Sequence, residues 1–224
     1  MSASISPKTF DFLNKLNKNN NREWFNENKS LYTESQQNVI TFLDELIKEM
    51  SGFDEELAKI DSKKALFRIY RDTRFSKDKS PYKTNLGASM DKGGKKSGLA
   101  GYYFHVEPGK SFLGGGLWQP EPDKLKKVRQ EIDYCFDEFK KIIASKKFKT
   151  LYGDLYTGEG IQLSKVPQGF EKDNPASEYL KFKSWLVITD IKDADLTSKD
   201  LVSKTVAAFG IMQPFVKFLN RPLE

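Results

Sequence analysis

The sequence predicts an α+β fold, a largely antiparallel sheet packed against several helices, and three observations carry that reading. Apolar spacing makes the first quarter of the chain helical, aromatic-rich runs in the middle form a hairpin, and further helical periods follow with one more strand between them. The regular strand-helix alternation of a doubly wound nucleotide-binding fold is absent. A chain of 224 residues, 38% hydrophobic and 30% charged, is long enough to bury one sizeable core. A single domain over 1–224 is therefore expected, helical over about 7–52 and sheet-containing over about 63–224.

Ser6 before Pro7 supplies a capping hydroxyl and a proline at the first helical position, and Phe10, Leu13 and Leu16 follow at helical spacing until "NKNNN" ends the helix. From Arg22, the positions Trp24, Phe25, Leu31, Tyr32, Val39, Phe42, Leu43, Leu46, Ile47 and Met50 recur every three to four residues. They describe one long amphipathic helix or two in succession, closed near Gly52. "KALFRIY" reads as a strand by its branched and aromatic content, and "SKDKSPYKTNLGASMDKGGKKSG" as a polar loop. In "GYYFHVEPGKSFLGGGLW" two aromatic-rich runs flank Pro108-Gly109, the pair a type II turn takes at its centre, which predicts an antiparallel hairpin. "PEPDKLKKVRQEIDYCFDEFKKIIAS" is one helix, with Leu125, Val128, Ile132, Cys135, Phe136, Phe139 and Ile143 on its buried face. Asn174 and Pro175 open a short helix, "SWLVITDI" is a strand, and Thr197 to Leu219 is a final helix that Gly210 and Pro214 should bend or break.

No apolar run approaches the roughly 20 residues that cross a bilayer. The opening "MSASISPKTF" lacks the charged-then-apolar pattern of a secretory signal, so a cytoplasmic protein without a membrane partner is expected. Cys135 is the only cysteine and His105 the only histidine, which excludes an intrachain disulfide and a zinc site of Cys/His type. No metal and no cofactor is expected, and Cys135 reads as a buried, inert thiol. Oligomeric state is not legible.

The net charge of +6 is local. Residues 63–96 hold eleven Lys and Arg against Asp72, Asp78 and Asp91, a local +8 that leaves −2 for the rest of the chain. Such concentration favours a site over a broadly basic surface. Its densest part is "FRIYRDTRFSKDKSPYK", where Arg68, Arg71, Asp72, Arg74, Phe75, Asp78, Lys79 and Tyr82 fall in a pattern that resembles the signature of a bacterial family of conserved hypothetical proteins, domain of unknown function 2461. "FLNKLNKNNNREWFNENKSLY", "GYYFHVEPGKSFLGGGLWQPEPDKL" and "LKFKSW" are similar to other segments of that family. The resemblance implies a fold, and it carries over no catalytic residue.

Three guanidiniums converging at ~6 Å, at an effective dielectric of ~20, repel by roughly 3 kcal/mol per pair. Asp72 and Asp78 are the internal counter-charges, and Lys77, Lys79 and Lys83 remain after them. A bound oxyanion would answer the excess, so the leading expectation is a site for a phosphate-containing or other anionic small molecule. Arg68, Arg71, Arg74 and Lys79 would hold it, Asp72 would orient an arginine, Asp78 would belong to the same site, and Tyr82 would close over it. The plain alternative pairs the arginines with acids elsewhere, such as Glu107 or Asp154, and leaves the lysines in water. If "LFRIY" is extended, Arg68 and Tyr70 leave one face while Phe67, Ile69 and Arg71 leave the other.

Two further readings use the same segment. One is a hydrolase or transferase acting on a phosphate ester, with His105 or Glu107, on a shared sheet face with Tyr103, as acid or base. The other is nucleic-acid binding, with stacking from Phe75 or Tyr82. "PGKS" is not a phosphate loop, because the pattern needs glycine where Phe104 stands. Gly114, Gly115 and Gly116 admit close approach by a backbone or a ligand, with a bulge or tight packing against Trp118 the commoner use.

Overall fold

The computed structural model describes residues 3–224; Met1 and Ser2 lie outside the described residues. The fold is α+β, as the sequence predicts. The chain forms two compact units, the first from Met1–Met90, Tyr103–Leu113 and Asp190–Ala207, the second from Asp91–Tyr102, Gly114–Thr189 and Ala208–Glu224.

The first unit opens with α1 (Pro7–Lys18), α2 (Arg22–Glu27), α3 (Lys29–Met50) and the single turn α4 (Ser62–Ala65). Ser6 caps α1, its hydroxyl accepting the Lys8 N–H at 3.3 Å, and the Asn21 side chain caps α2 by accepting the Trp24 N–H at 2.9 Å. The long period from Arg22 is thus two helices, parted at Asn28, whose φ of −106° and ψ of 20° leave the helical region. α1 packs on α3, and Phe12, Leu13 and Leu16 are buried together with Val39, Phe42, Leu43 and Leu46. Each such side chain contributes about 1.5–3 kcal/mol by leaving water.

Four strands, β1 (Leu86–Asp91), β2 (Gly101–Val106), β3 (Phe112–Leu117) and β4 (Trp185–Asp190), form one antiparallel sheet in chain order. The predicted hairpin is β2 and β3. Its Pro108-Gly109 turn closes with the Lys110 N–H on the Glu107 carbonyl at 2.9 Å, and Gly109 takes the φ of 71° that a type II turn needs there. β1 lies inside the stretch expected to be loop. "KALFRIY" is not a strand of the sheet; it meets its neighbours only at isolated antiparallel bridges, Leu66 with Ala88 and Tyr70 with Tyr82.

The second unit carries α5 (Pro122–Tyr134), α6 (Phe136–Ile143), α7 (Lys146–Tyr152) and α8 (Ser177–Leu180). The helix expected to run from Pro122 past Ile143 is interrupted at Cys135, which is half-buried at the junction, not buried as expected. α9 (Asp193–Leu196) precedes α10 (Leu201–Asn220), and α10 runs through Gly210 and Pro214 without the expected break. The Tyr152 hydroxyl donates to the Ala208 carbonyl at 2.7 Å, and Phe139, Phe148, Phe215 and Phe218 pack as an aromatic cluster. The close approach predicted at the triple glycine is real; at Gly115 it is made by the Met212 side chain and the Gly101 carbonyl, and at Gly116 by backbone. A Cβ on Gly116 would lie 2.0 Å from the Trp185 carbonyl oxygen, while Trp118 stays 58% exposed. No helix among the described residues is long and apolar enough to cross a membrane.

Candidate functional site

The basic segment is the connection of an irregular hairpin in the first unit. Its arms return on each other through the Phe67 N–H on the Gly87 carbonyl at 2.8 Å, Lys83 on Ile69 at 2.8 Å and Arg71 on Pro81 at 2.9 Å. Between the two isolated bridges one arm advances from Leu66 to Tyr70 while the other takes Tyr82 to Ala88, so two extra residues interrupt the ladder. The predicted alternation survives: Ile69 is buried, Phe67 and Arg71 are half-buried, and Arg68 and Tyr70 face out.

Inside the loop, the arginines find carboxylates close in sequence. Arg74 grips Asp72 with both prongs, Nε at 3.0 Å and Nη2 at 2.6 Å, and Arg71 is paired with Asp78. Ser80 donates its hydroxyl and its N–H to Asp78 at 2.7 and 2.9 Å. These bonds, with Arg71, hold the Asp78 carboxyl far below the usual carboxylate range, and Arg74 depresses Asp72 in the same sense. Neither Glu107 nor Asp154 is an arginine partner; they engage Thr84 and Lys149.

What remains outward is distinctive. Phe75 is 96% exposed at the loop, with the Arg74 guanidinium 5.9 Å from its ring centre. Arg68, Lys77 and Lys79 are exposed in the same segment, and Lys79 Nζ steadies the turn by donating to the Thr73 carbonyl at 3.0 Å. Tyr82 does not face this group. Its ring stacks on Phe25 at 3.9 Å and is 4% exposed, and Asn20 bonds both its N–H and its carbonyl, so it is core and cannot close over a ligand. An open groove of about 800 Å³, lined by Thr9, Thr33, Gln37 and Asn38 among others, contains none of the predicted site residues.

Tyr103, His105 and Glu107 share one sheet face, as their spacing predicts. A carboxylate only accepts, so in the neutral imidazole Nε2–H points to Glu107 Oε2 at 3.3 Å and bare Nδ1 accepts the Tyr103 hydroxyl at 3.2 Å. Thr84 donates to the other Glu107 oxygen at 3.1 Å, and Phe112 stacks on the imidazole at 4.5 Å. Burial lowers the His105 pKa against the opposing pull of Glu107, and burial raises that of Tyr103. Gly87 makes room for the row, since a Cβ there would lie 2.2 Å from the Tyr103 hydroxyl. The row can relay a proton between Tyr103 and Glu107. Its flanks touch the hairpin arms, with Phe67 6.3 Å from Tyr103 and Lys83 Nζ 5.4 Å from the Phe67 ring.

In the second unit the structure places a charge that reading the loop did not find. Arg129 on α5 is 9% exposed; its Nη2 donates to the Phe182 carbonyl at 3.0 Å and its Nε is buried without an acceptor. The signal was available: Arg129 falls four residues after Leu125 and three before Ile132, on the same face of the predicted helix.

No curated protein and no solved structure matches the chain. The family described as conserved hypothetical protein (DUF2461) matches residues 8–218, which include the helices, the four strands, the basic loop and the His105 row. The chain is a member of that family.

Proposed function

We propose that the basic loop binds single-stranded nucleic acid, its cations tracking phosphates while Phe75 stacks on a base. The observation that carries this reading is the 96% exposure of Phe75 on a loop whose shape is fixed by the Arg71–Asp78 and Arg74–Asp72 pairs. Exposing a phenyl ring to water is unfavourable, and a stacking partner removes that cost. The paired arginines suit the same role. Asp72 and Asp78 consume the charge that would grip a lone phosphate and leave Arg68, Lys77 and Lys79 exposed along the same segment as the aromatic. An extended polyanion matches spread charges better than an enclosed small anion does.

The test is fluorescence anisotropy with a labelled oligonucleotide across a salt series, with a nucleoside monophosphate and inorganic phosphate as competitors. Log affinity is expected to fall linearly with log salt, with a slope of roughly −0.7 for each phosphate neutralised. Phe75→Ala should cost about 1–3 kcal/mol, a loss of roughly 5- to 150-fold. If low salt gives no binding, or Phe75→Ala binds as the wild type does, the reading fails. Competition by the monophosphate at an affinity equal to the oligonucleotide's would replace it with a small-anion site.

A further inference from the structure

Arg129 puts a positive charge inside the second unit with no ion-pair partner among the described residues. No carboxylate among the described residues lies within 4.0 Å of it, whereas the neighbouring acids are occupied. Glu131 and Glu138 both bind Arg221, at 2.5 and 2.9 Å, Glu178 binds Lys181 at 2.6 Å, and Asp133 accepts from Asn174 at 2.5 Å. These acids sit on α5 itself and on α6 and α8, both packed against it, and the further acids of α5 and α6, Asp123 and Asp137, form no ion pair with Arg129.

A guanidinium stays protonated at neutral pH even when burial pulls its pKa down, as it does here from an ordinary value of 12.5. The charge therefore cannot be shed, and leaving it uncompensated in a protein interior is strongly unfavourable. One carbonyl, that of Phe182, meets one of five N–H groups. Among the described residues Nε is enclosed with nothing to donate to, and Nη1 makes no hydrogen bond yet is not enclosed, so it reaches solvent.

We propose that Arg129 anchors a binding site for a small oxyanion, a carboxylate or phosphate group that meets the solvent-reaching Nη1 edge of the guanidinium. The site belongs to the second unit and uses none of the loop residues, so it stands apart from the nucleic-acid reading. Planar guanidinium suits either group because its parallel N–H bonds match paired oxygens.

The experiment measures the melting temperature of wild type and of Arg129→Met with added inorganic phosphate, acetate or citrate, against sodium chloride at matched ionic strength. At a hundredfold excess over Kd, a ligand that binds only the folded state should raise the wild-type value by about 5–10 °C and leave Arg129→Met unmoved. Without ligand, Arg129→Met should melt at or above the wild type, since an apolar side chain of similar volume removes an uncompensated charge. Lys199→Ala, an exposed lysine that belongs to neither site, serves as the control and should respond as the wild type does. A second measurement needs no variant: in protein labelled with ¹⁵N-arginine, the Arg129 Nε resonance should shift saturably with the anion that binds. Equal response of wild type and Arg129→Met to every salt, or an Nε resonance that no anion moves, overturns the site. Response to phosphate alone or to carboxylates alone identifies which ligand it takes.

Discussion

His105 is the chain's only histidine, so its titration can be followed without assignment. Its imidazole is 9% exposed and stacked on Phe112, which disfavours the charged form, while Glu107 favours it. Burial is the larger effect, so the folded midpoint should lie below the ordinary 6.5. Well above pH 6.5 both folded and unfolded chains carry a neutral imidazole and the group contributes nothing to the pH dependence. As pH falls below 6.5 the unfolded chain takes up a proton that the folded chain refuses, so stability declines until the folded midpoint is passed and then levels. An NMR titration of wild type should give that lowered midpoint, and Glu107→Gln, which removes the opposing pull, should lower it further. A wild-type midpoint above 6.5, or a rise in Glu107→Gln, would mean that His105 and Glu107 form a charged pair instead. The same comparison of burial with partners separates the arginines. Arg74 is exposed and doubly bonded to Asp72, which ordinary surface chemistry explains, whereas Arg129 is buried with its Nε unmatched, which it does not.

Among the elements, β3 and β4 depend on the absence of a side chain at Gly116. Its φ of 120° is closed to L-residues, and a Cβ would sit 2.0 Å from the Trp185 carbonyl oxygen, a backbone atom held in the sheet. Gly116→Ala should therefore destabilise by about 3 kcal/mol or more and lower the melting temperature by about 6–12 °C. Thermal unfolding followed by circular dichroism checks it, and a loss below about 1 kcal/mol would mean that the strands separate without cost. The elements written in the sequence were those whose cause is local. Pro108-Gly109 sets its own turn, Ser6 and Pro7 set their own helix start, and the 3.6-residue period of Val39 to Met50 is visible without a partner. β1 was hidden because "LGASMD" has no strand-like composition of its own; its pairing with β2 makes it a strand. "KALFRIY" misled in the opposite sense, since its first two residues close α4 and, beyond them, the two extra residues on the returning arm prevent a continuous ladder. In the candidate site, alternation correctly grouped Tyr103, His105 and Glu107, while the partner of Tyr82 could not be read because Phe25 lies 57 positions away.

At the scale of the whole molecule, chain continuity bears on whether the two compact units are separate domains. Every strand contributes to both: the division falls between Met90 and Asp91 in β1, Tyr102 and Tyr103 in β2, Leu113 and Gly114 in β3, and Thr189 and Asp190 in β4. It also falls inside α10, between Ala207 and Ala208. Unfolding one unit alone would require β2 and β3 to fray within their length, β1 and β4 to lose their last residue, and a helix to end without a cap, leaving backbone N–H and carbonyl groups unpaired at each of these places. The cost of such a half-folded state should keep it unpopulated, and the chain should unfold in one step. Trp24 reports on the first unit and Trp118 and Trp185 on the second, so protein labelled with fluorotryptophan can be followed by ¹⁹F NMR through urea without a mutation. All three resonances should disappear at one midpoint with one slope, about 1–3 kcal/mol per molar urea, coincident with the loss of helical circular dichroism. Separate midpoints for Trp24 and Trp185 would show that a strand can be ordered in one half while it is melted in the other, and would divide the chain into two folding domains.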